Sequence, residues 1–279
     1  MARLVCISHL TALEASPEEL IDLAAEFGFG GVGIRNRPPQ HTAHRWPISG
    51  DLKRSQQIAE RARSCGITVF EGETFSIWPD FSVEAMMAGL ESAAAMGARA
   101  IVSAGIDDEE DRLVDSYRQL AEAAQPFGIV VGIEFMPFQK LRTLEQARRV
   151  QARIGMDNAR ILIDALHLSR SGGSVEEVAR LQPRTVAYVH LCDAPAKLPP
   201  ASEIAAEARA TRLYPGEGEL DLAGLLGVLD PDLPVSLEAP HRDHGHLPPR
   251  ELVKRAAAAT LPFVAAVDHP AVASTRQKN

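Results

Sequence analysis

Eight short aliphatic runs punctuate this 279-residue chain, and a stretch of helical character follows each one. That alternation is the tightest constraint on what it can fold into. The runs fall at residues 4–8, 31–34, 67–70, 100–103, 130–134, 161–164, 186–191 and 235–238. An aliphatic run of this kind reads as a parallel strand with helices packed over it. Helices are expected between them at about residues 16–27, 51–64, 81–96, 109–127, 143–154, 175–181, 222–229 and 250–267. The first has clear start and stop signals, with Ser16 as N-cap, Pro17 in the first turn, Glu19 at the capping-box position and Gly28 at the end. Unbroken strand–helix alternation calls for right-handed parallel crossovers, and eight units of roughly 30 residues match a single (β/α)8 TIM barrel of α/β class. A doubly wound open sheet would place a glycine-rich phosphate turn after the first strand. The segment S-H-L-T-A-L-E-A-S at residues 8–16 has no glycine. One barrel domain over residues 1–270 is therefore expected, with a polar, frayed tail at 271–279.

Composition narrows the function classes. Hydrophobic residues make up 46% of the chain and charged residues 24%, ordinary for a globular protein with a sizeable core. A formal net charge of −8 argues against nucleic acid as a partner, because gripping a phosphate backbone needs a basic footprint. Cys6, Cys65 and Cys192 are odd in number and widely spaced, so neither a disulfide framework nor a cysteine metal site is expected. No stretch reads as a membrane span or a leader, and a cytoplasmic protein is the expectation.

The ends of the last four runs carry the chemistry. Residues 160–167 read R-I-L-I-D-A-L-H, an aliphatic strand driving straight into a carboxylate. Burial without a partner makes that costly. The same pattern ends in Glu134, His190 and Glu238, in successive units. In a barrel these positions converge on the C-terminal face. Three carboxylates and one imidazole form a donor set for one divalent ion, Mn2+, Mg2+ or Co2+, with Zn2+ also compatible.

The motifs G-I-E-F at 132–135, L-I-D-A-L-H at 162–167, V-H-L-C-D at 189–193, P-G-E-G-E-L-D at 215–221 and S-L-E-A-P at 236–240 resemble the xylose-isomerase-like barrel superfamily of sugar phosphate isomerases and epimerases. The resemblance implies that Glu134, Asp164, His190 and Glu238 ligate one metal ion. It also implies that Glu134 and Glu238 are catalytic, exchanging a substrate proton through a metal-stabilised enediolate. By the same resemblance His167 contacts a substrate hydroxyl or carbonyl and Arg212 grips substrate oxygens.

Glu73 and His9, at the ends of the third and first strands, are further candidates for contact with substrate. Asp193 is expected to orient a neighbour such as Arg212. His241 and Arg242 are possible pocket residues, and the Pro-rich segment holding His41, His44 and Trp46 is a candidate lid. The expected ligand is a small carbohydrate or keto-acid, and a homo-oligomer is compatible with the sequence. Three functional readings follow: an isomerase or epimerase, a lyase of the inosose, 3-dehydroshikimate or 3-keto-glycoside type, and a non-catalytic sugar-binding barrel. A trinuclear nuclease site is disfavoured, since the second to fourth strands end at Arg35, Glu71 or Glu73, and Ser103.

Overall fold

The computed structural model describes residues 3–37, 45–182 and 184–269. Eight parallel strands close on themselves in chain order. They are β1 (Val5–Ile7), β2 (Gly31–Arg35), β3 (Thr68–Glu73), β4 (Ala100–Ala104), β5 (Val130–Glu134), β6 (Ala159–Asp164), β7 (Val186–Leu191) and β8 (Val235–Leu237). The helices are α1 (Pro17–Phe27), α2 (Leu52–Ser64), α3 (Val83–Met96), α4 (Glu110–Ala124), α5 (Leu144–Ile154), α6 (Ala165–Arg170), α7 (Val175–Ala179), α8 (Ile204–Ala210), α9 (Leu222–Gly227) and α10 (Pro249–Asp268). No helix of the described residues is long and apolar enough to cross a membrane. The tail at 271–279, with His41 and His44, lies outside the described residues.

Local chemistry accounts for the boundaries. The Ser16 hydroxyl accepts from the Glu19 amide, and Gly28 adopts a left-handed cap at φ 90°. The fourth helix stops earlier than its periodicity suggests. Pro126 lacks an N–H and cannot continue the ladder, so the chain finishes in a 3-10 turn over Gln125–Phe127. Two helices were not expected. α6 follows β6 without a loop, because the Asp164 carboxylate caps it by accepting from the His167 amide at 2.8 Å. α8 interrupts the long connection after β7.

Strand alternation sorts the core into two parts. Cys6, Phe70, Ala100, Val102, Leu162 and Tyr188 pack together inside the barrel. Ile161, Ile163, Val189, Leu191, Val235 and Leu237 belong to the larger layer between sheet and helices. Two irregularities change which residues face inward. Val32 pairs with Val69, but Gly33 pairs with Glu71, which leaves Phe70 as an extra residue in β3. Ile161 pairs with Val186, and Leu162 with Tyr188, which leaves Ala187 as an extra residue in β7. Each bulge reverses the parity of the residues that follow it. Glu71, Glu73 and His190 face the barrel axis for that reason.

Candidate metal centre and its cavity

Glu134 and Asp164 sit two residues beyond Gly132 and Leu162, and His190 two beyond Tyr188, so all three stand on top of the inner packing layer. The register sets Asp164 beside His190, and Glu238 follows directly after β8. These four residues are buried and offer ligand atoms that all lie within 4.8 Å of one another. His190 Nδ1 is 3.4 Å from Glu134 Oε1 and 3.5 Å from Glu238 Oε2. Neither His190 Nδ1 nor Glu134 Oε1 has a hydrogen-bond partner among the described residues. Buried polar atoms are rarely left so, and two of them converging with further carboxylates suit a cation held between them. The donor set fits a divalent ion.

Electrostatics point the same way. Burial pushes the Glu134 carboxyl up to about 7, and the charge of Glu238 adds to the rise. Burial opposes a charge on His190, yet the Glu238 and Glu71 carboxylates override it and raise its pKa well above the ordinary value. Burial works against the Asp164 carboxylate too, but the Arg212 guanidinium holds its pKa well below the usual range. Concentrated negative charge thus recruits positive charge from the protein.

Glu71 is the residue that sequence reasoning passed over in favour of Glu73. It is fully buried, and its Oε2 lies 2.9 Å from His190 Nε2, while Ser236 Oγ donates to its Oε1 at 2.6 Å. A carboxylate accepting from one ring nitrogen of a histidine fixes the tautomer that leaves the other nitrogen free to ligate. The E-G-E spacing was visible; its facing was not.

The remaining expectations fare differently. His167 is buried, and burial lowers its pKa to about 4, so the ring is neutral; its Nδ1 is unpartnered among the described residues. Arg212 is buried within the quartet, donating to Asp164 Oδ2 at 2.6 Å and reaching Glu238 Oε2 at 3.1 Å, with its Nε held by the Ala208 carbonyl. Glu73 accepts from Ser8 Oγ and the His9 amide and pairs with Arg35 at 3.2 Å. Backbone groups engage both His9 and Asp193. His9 Nε2 contacts the Ala15 carbonyl and Nδ1 accepts from the Arg35 amide, so the ring ties the β1 loop to β2. The Asp193 carboxylate accepts from the amides of Ala194, Gly216, Gly218 and Leu220 and so shapes the P-G-E-G turn, while its backbone pairs with Leu213 beside Arg212. His241 pairs with Glu217 at 2.8 Å beside the main cavity, Arg242 is exposed, and the Trp46 indole donates to the Leu13 carbonyl.

A cavity of ≈560 Å3 opens above the quartet. Glu134 and Glu238 border it, together with Glu73, His167 and Arg212. Asp164 and His190, both fully buried, do not border it. Trp78, Phe138 and Arg209, none anticipated from sequence, also line it.

The profile of the family described as xylose isomerase-like TIM barrel matches residues 21–262. The chain belongs to that family. Within the xylose isomerase-like barrels it is 32% identical over 126 residues to a 3-dehydroshikimate dehydratase of Pseudomonas aeruginosa, which covers 45% of this chain and 19% of that protein. It is 24% identical over 188 residues to an inosose isomerase of Halalkalibacterium halodurans, covering 63% of this chain and 65% of that one. The chain thus spans less than two thirds of the curated relatives it matches. Among solved structures, the IOLI protein with a bound zinc atom superposes with a TM-score of 0.78 at 20% identity, over 96% of this chain and 99% of that one, a likeness of fold.

Proposed function

We propose that this xylose isomerase-like barrel is a divalent-metal-dependent isomerase or epimerase of a polyhydroxylated keto compound. One observation carries the reading. Of the four converging residues, the two glutamates border the cavity and the aspartate and histidine do not. That division suits Glu134 and Glu238 as groups that both ligate and move protons, and Asp164 and His190 as groups that only hold. When bound, a Mn2+, Mg2+, Co2+ or Zn2+ ion supplies Lewis acidity that lowers the pKa of a C–H beside a carbonyl.

The side chains do the rest. Glu134 and Glu238 approach the cavity from β5 and from the end of β8, so one can accept the proton and the other return it to the opposite face or the neighbouring carbon. His167, neutral at pH 7, offers its unpartnered Nδ1 to a substrate hydroxyl. Arg212 sits against both Asp164 and Glu238 and holds them in place. Trp78 and Phe138 narrow the space available to water.

A second reading is a lyase: the same proton is removed and a β-hydroxyl departs as water. The match to a 3-dehydroshikimate dehydratase supports it. The test is to load the protein with Mn2+ and follow ketoses, inososes and 3-dehydroshikimate in D2O by NMR. Deuterium entering the α-carbon, and lost in Glu134→Gln or Glu238→Gln, is the expected result; a new alkene signal selects the lyase. If no divalent ion binds and Asp164→Asn changes nothing, the proposal falls.

A further inference from the structure

Besides Arg212, two further arginines line the cavity, Arg35 and Arg209. Arg35 is spoken for, paired with Glu73 at 3.2 Å, although its Nε is buried and unpartnered among the described residues. Arg209 is different. It lines the same cavity from α8, its guanidinium lies over the Phe138 ring at 5.5 Å, and among the described residues no carboxylate pairs with it. Phe138 also meets the His167 ring edge-on at 5.5 Å. One aromatic ring therefore separates a permanent cation from the neutral imidazole.

A surface arginine resting on a phenylalanine has a plain packing role, and a second observation argues for more. Glu207, two residues earlier on α8, forms a bidentate ion pair with Arg170 of α6 at 2.7 and 2.8 Å, the Arg170 side chain being 0% and the Glu207 side chain 11% exposed. Arg170 also donates to the Pro195 carbonyl at 2.9 Å. The backbone that carries Arg209 is thus pinned to the helix that carries His167. Phe138 gives the guanidinium a ring to rest on. A guanidinium at a cavity wall with no carboxylate partner among the described residues is a site for an anion.

We propose that the substrate of this cavity bears an anionic group, a carboxylate or a phosphate, and that Arg209 is its counter-ion. This rests on the cavity being the substrate site, and it excludes neutral ketoses and cyclitols as preferred ligands. Three ring polyols test it by calorimetric titration into the Mn2+-loaded protein: shikimate with a carboxylate, glucose 6-phosphate with a phosphate, and myo-inositol with neither. One anion is expected to bind about tenfold or more tightly than myo-inositol. The stronger of the two identifies the group. Arg209→Ala should bring it to within about threefold of myo-inositol, and Arg209→Lys should keep part of the preference. Equal binding of all three, a preference that survives Arg209→Ala, or binding of neither anion overturns the proposal. A separate Mn2+ titration of the wild type and Arg209→Ala judges the metal reading alone. Should Mn2+ fail to bind, the metal reading falls, while the anion preference is still scored in the same cavity.

Discussion

Gly33 has no side chain because two carboxylates occupy the space one would need. A Cβ there would lie 2.6 Å from Glu71 Oε1, 2.7 Å from Glu71 Cγ and 2.9 Å from Glu73 Oε1. Gly33→Ala is expected to cost about 1–3 kcal/mol, read as a lower urea midpoint at constant m-value. Glu71 itself acts through His190. Glu71→Gln should weaken Co2+ binding by about 10–100-fold while the far-UV spectrum stays unchanged; equal affinity would show that the histidine needs no such support. The buried His167 gives a pH dependence with a defined sign. Its folded pKa is about 4, against about 6.5 in the unfolded chain. Between those values the unfolded state binds more protons, so stability is full above about pH 6.5 and is lost as pH falls toward 4, by on the order of 3 kcal/mol. Urea midpoints at several pH values in that window should fall more steeply for the wild type than for His167→Gln. Parallel slopes would assign the loss to another group.

At the scale of elements, the short helices after β6 and β7 build the cavity wall, and one ion pair couples them. Arg170 joins α6 to α8 and to the loop at Pro195, while α8 supplies the Ala208 carbonyl that holds Arg212 Nε. Arg170→Ala would leave the Glu207 charge largely buried, at a cost of about 3 kcal/mol. Arg170→Ala with Glu207→Ala should recover part of that loss, and a double-mutant cycle in urea measures the coupling. Additive effects would mean that the two helices are held by packing alone. The sequence pattern led past both helices for a physical reason. The equally short α7 and α9 follow a capping residue that stands apart from any strand, whereas α6 starts from the strand-end Asp164 itself and α8 has no side-chain cap.

For the molecule as a whole, a ligand that binds only the folded state raises stability by mass action. Mn2+ at a hundredfold excess over its Kd should add about 2.7 kcal/mol and raise the melting temperature by about 5–10 °C, reversibly with EDTA. Asp164→Asn should abolish the shift. An unchanged melting temperature in the wild type would remove the four-residue centre as a binding site.

The barrel, its eight strands and the chemical identity of the quartet were legible in the sequence, because strand and helix periods and the residue types at strand ends are written locally. Facing was not. Glu71 and His190 point to the axis because Phe70 and Ala187 are bulged residues, and a bulge exists only in the pairing of two strands. The same holds for His9 and Asp193. Their residue types suggested substrate contact and support for Arg212, whereas the Ala15 carbonyl and Arg35 amide engage His9 and the turn amides at Gly216 and Gly218 engage Asp193, pairings made by the folded backbone and not marked by residue type. The chain by itself determined which groups are available. Register and closure, which are cooperative properties of all eight strands, decided which of them meet.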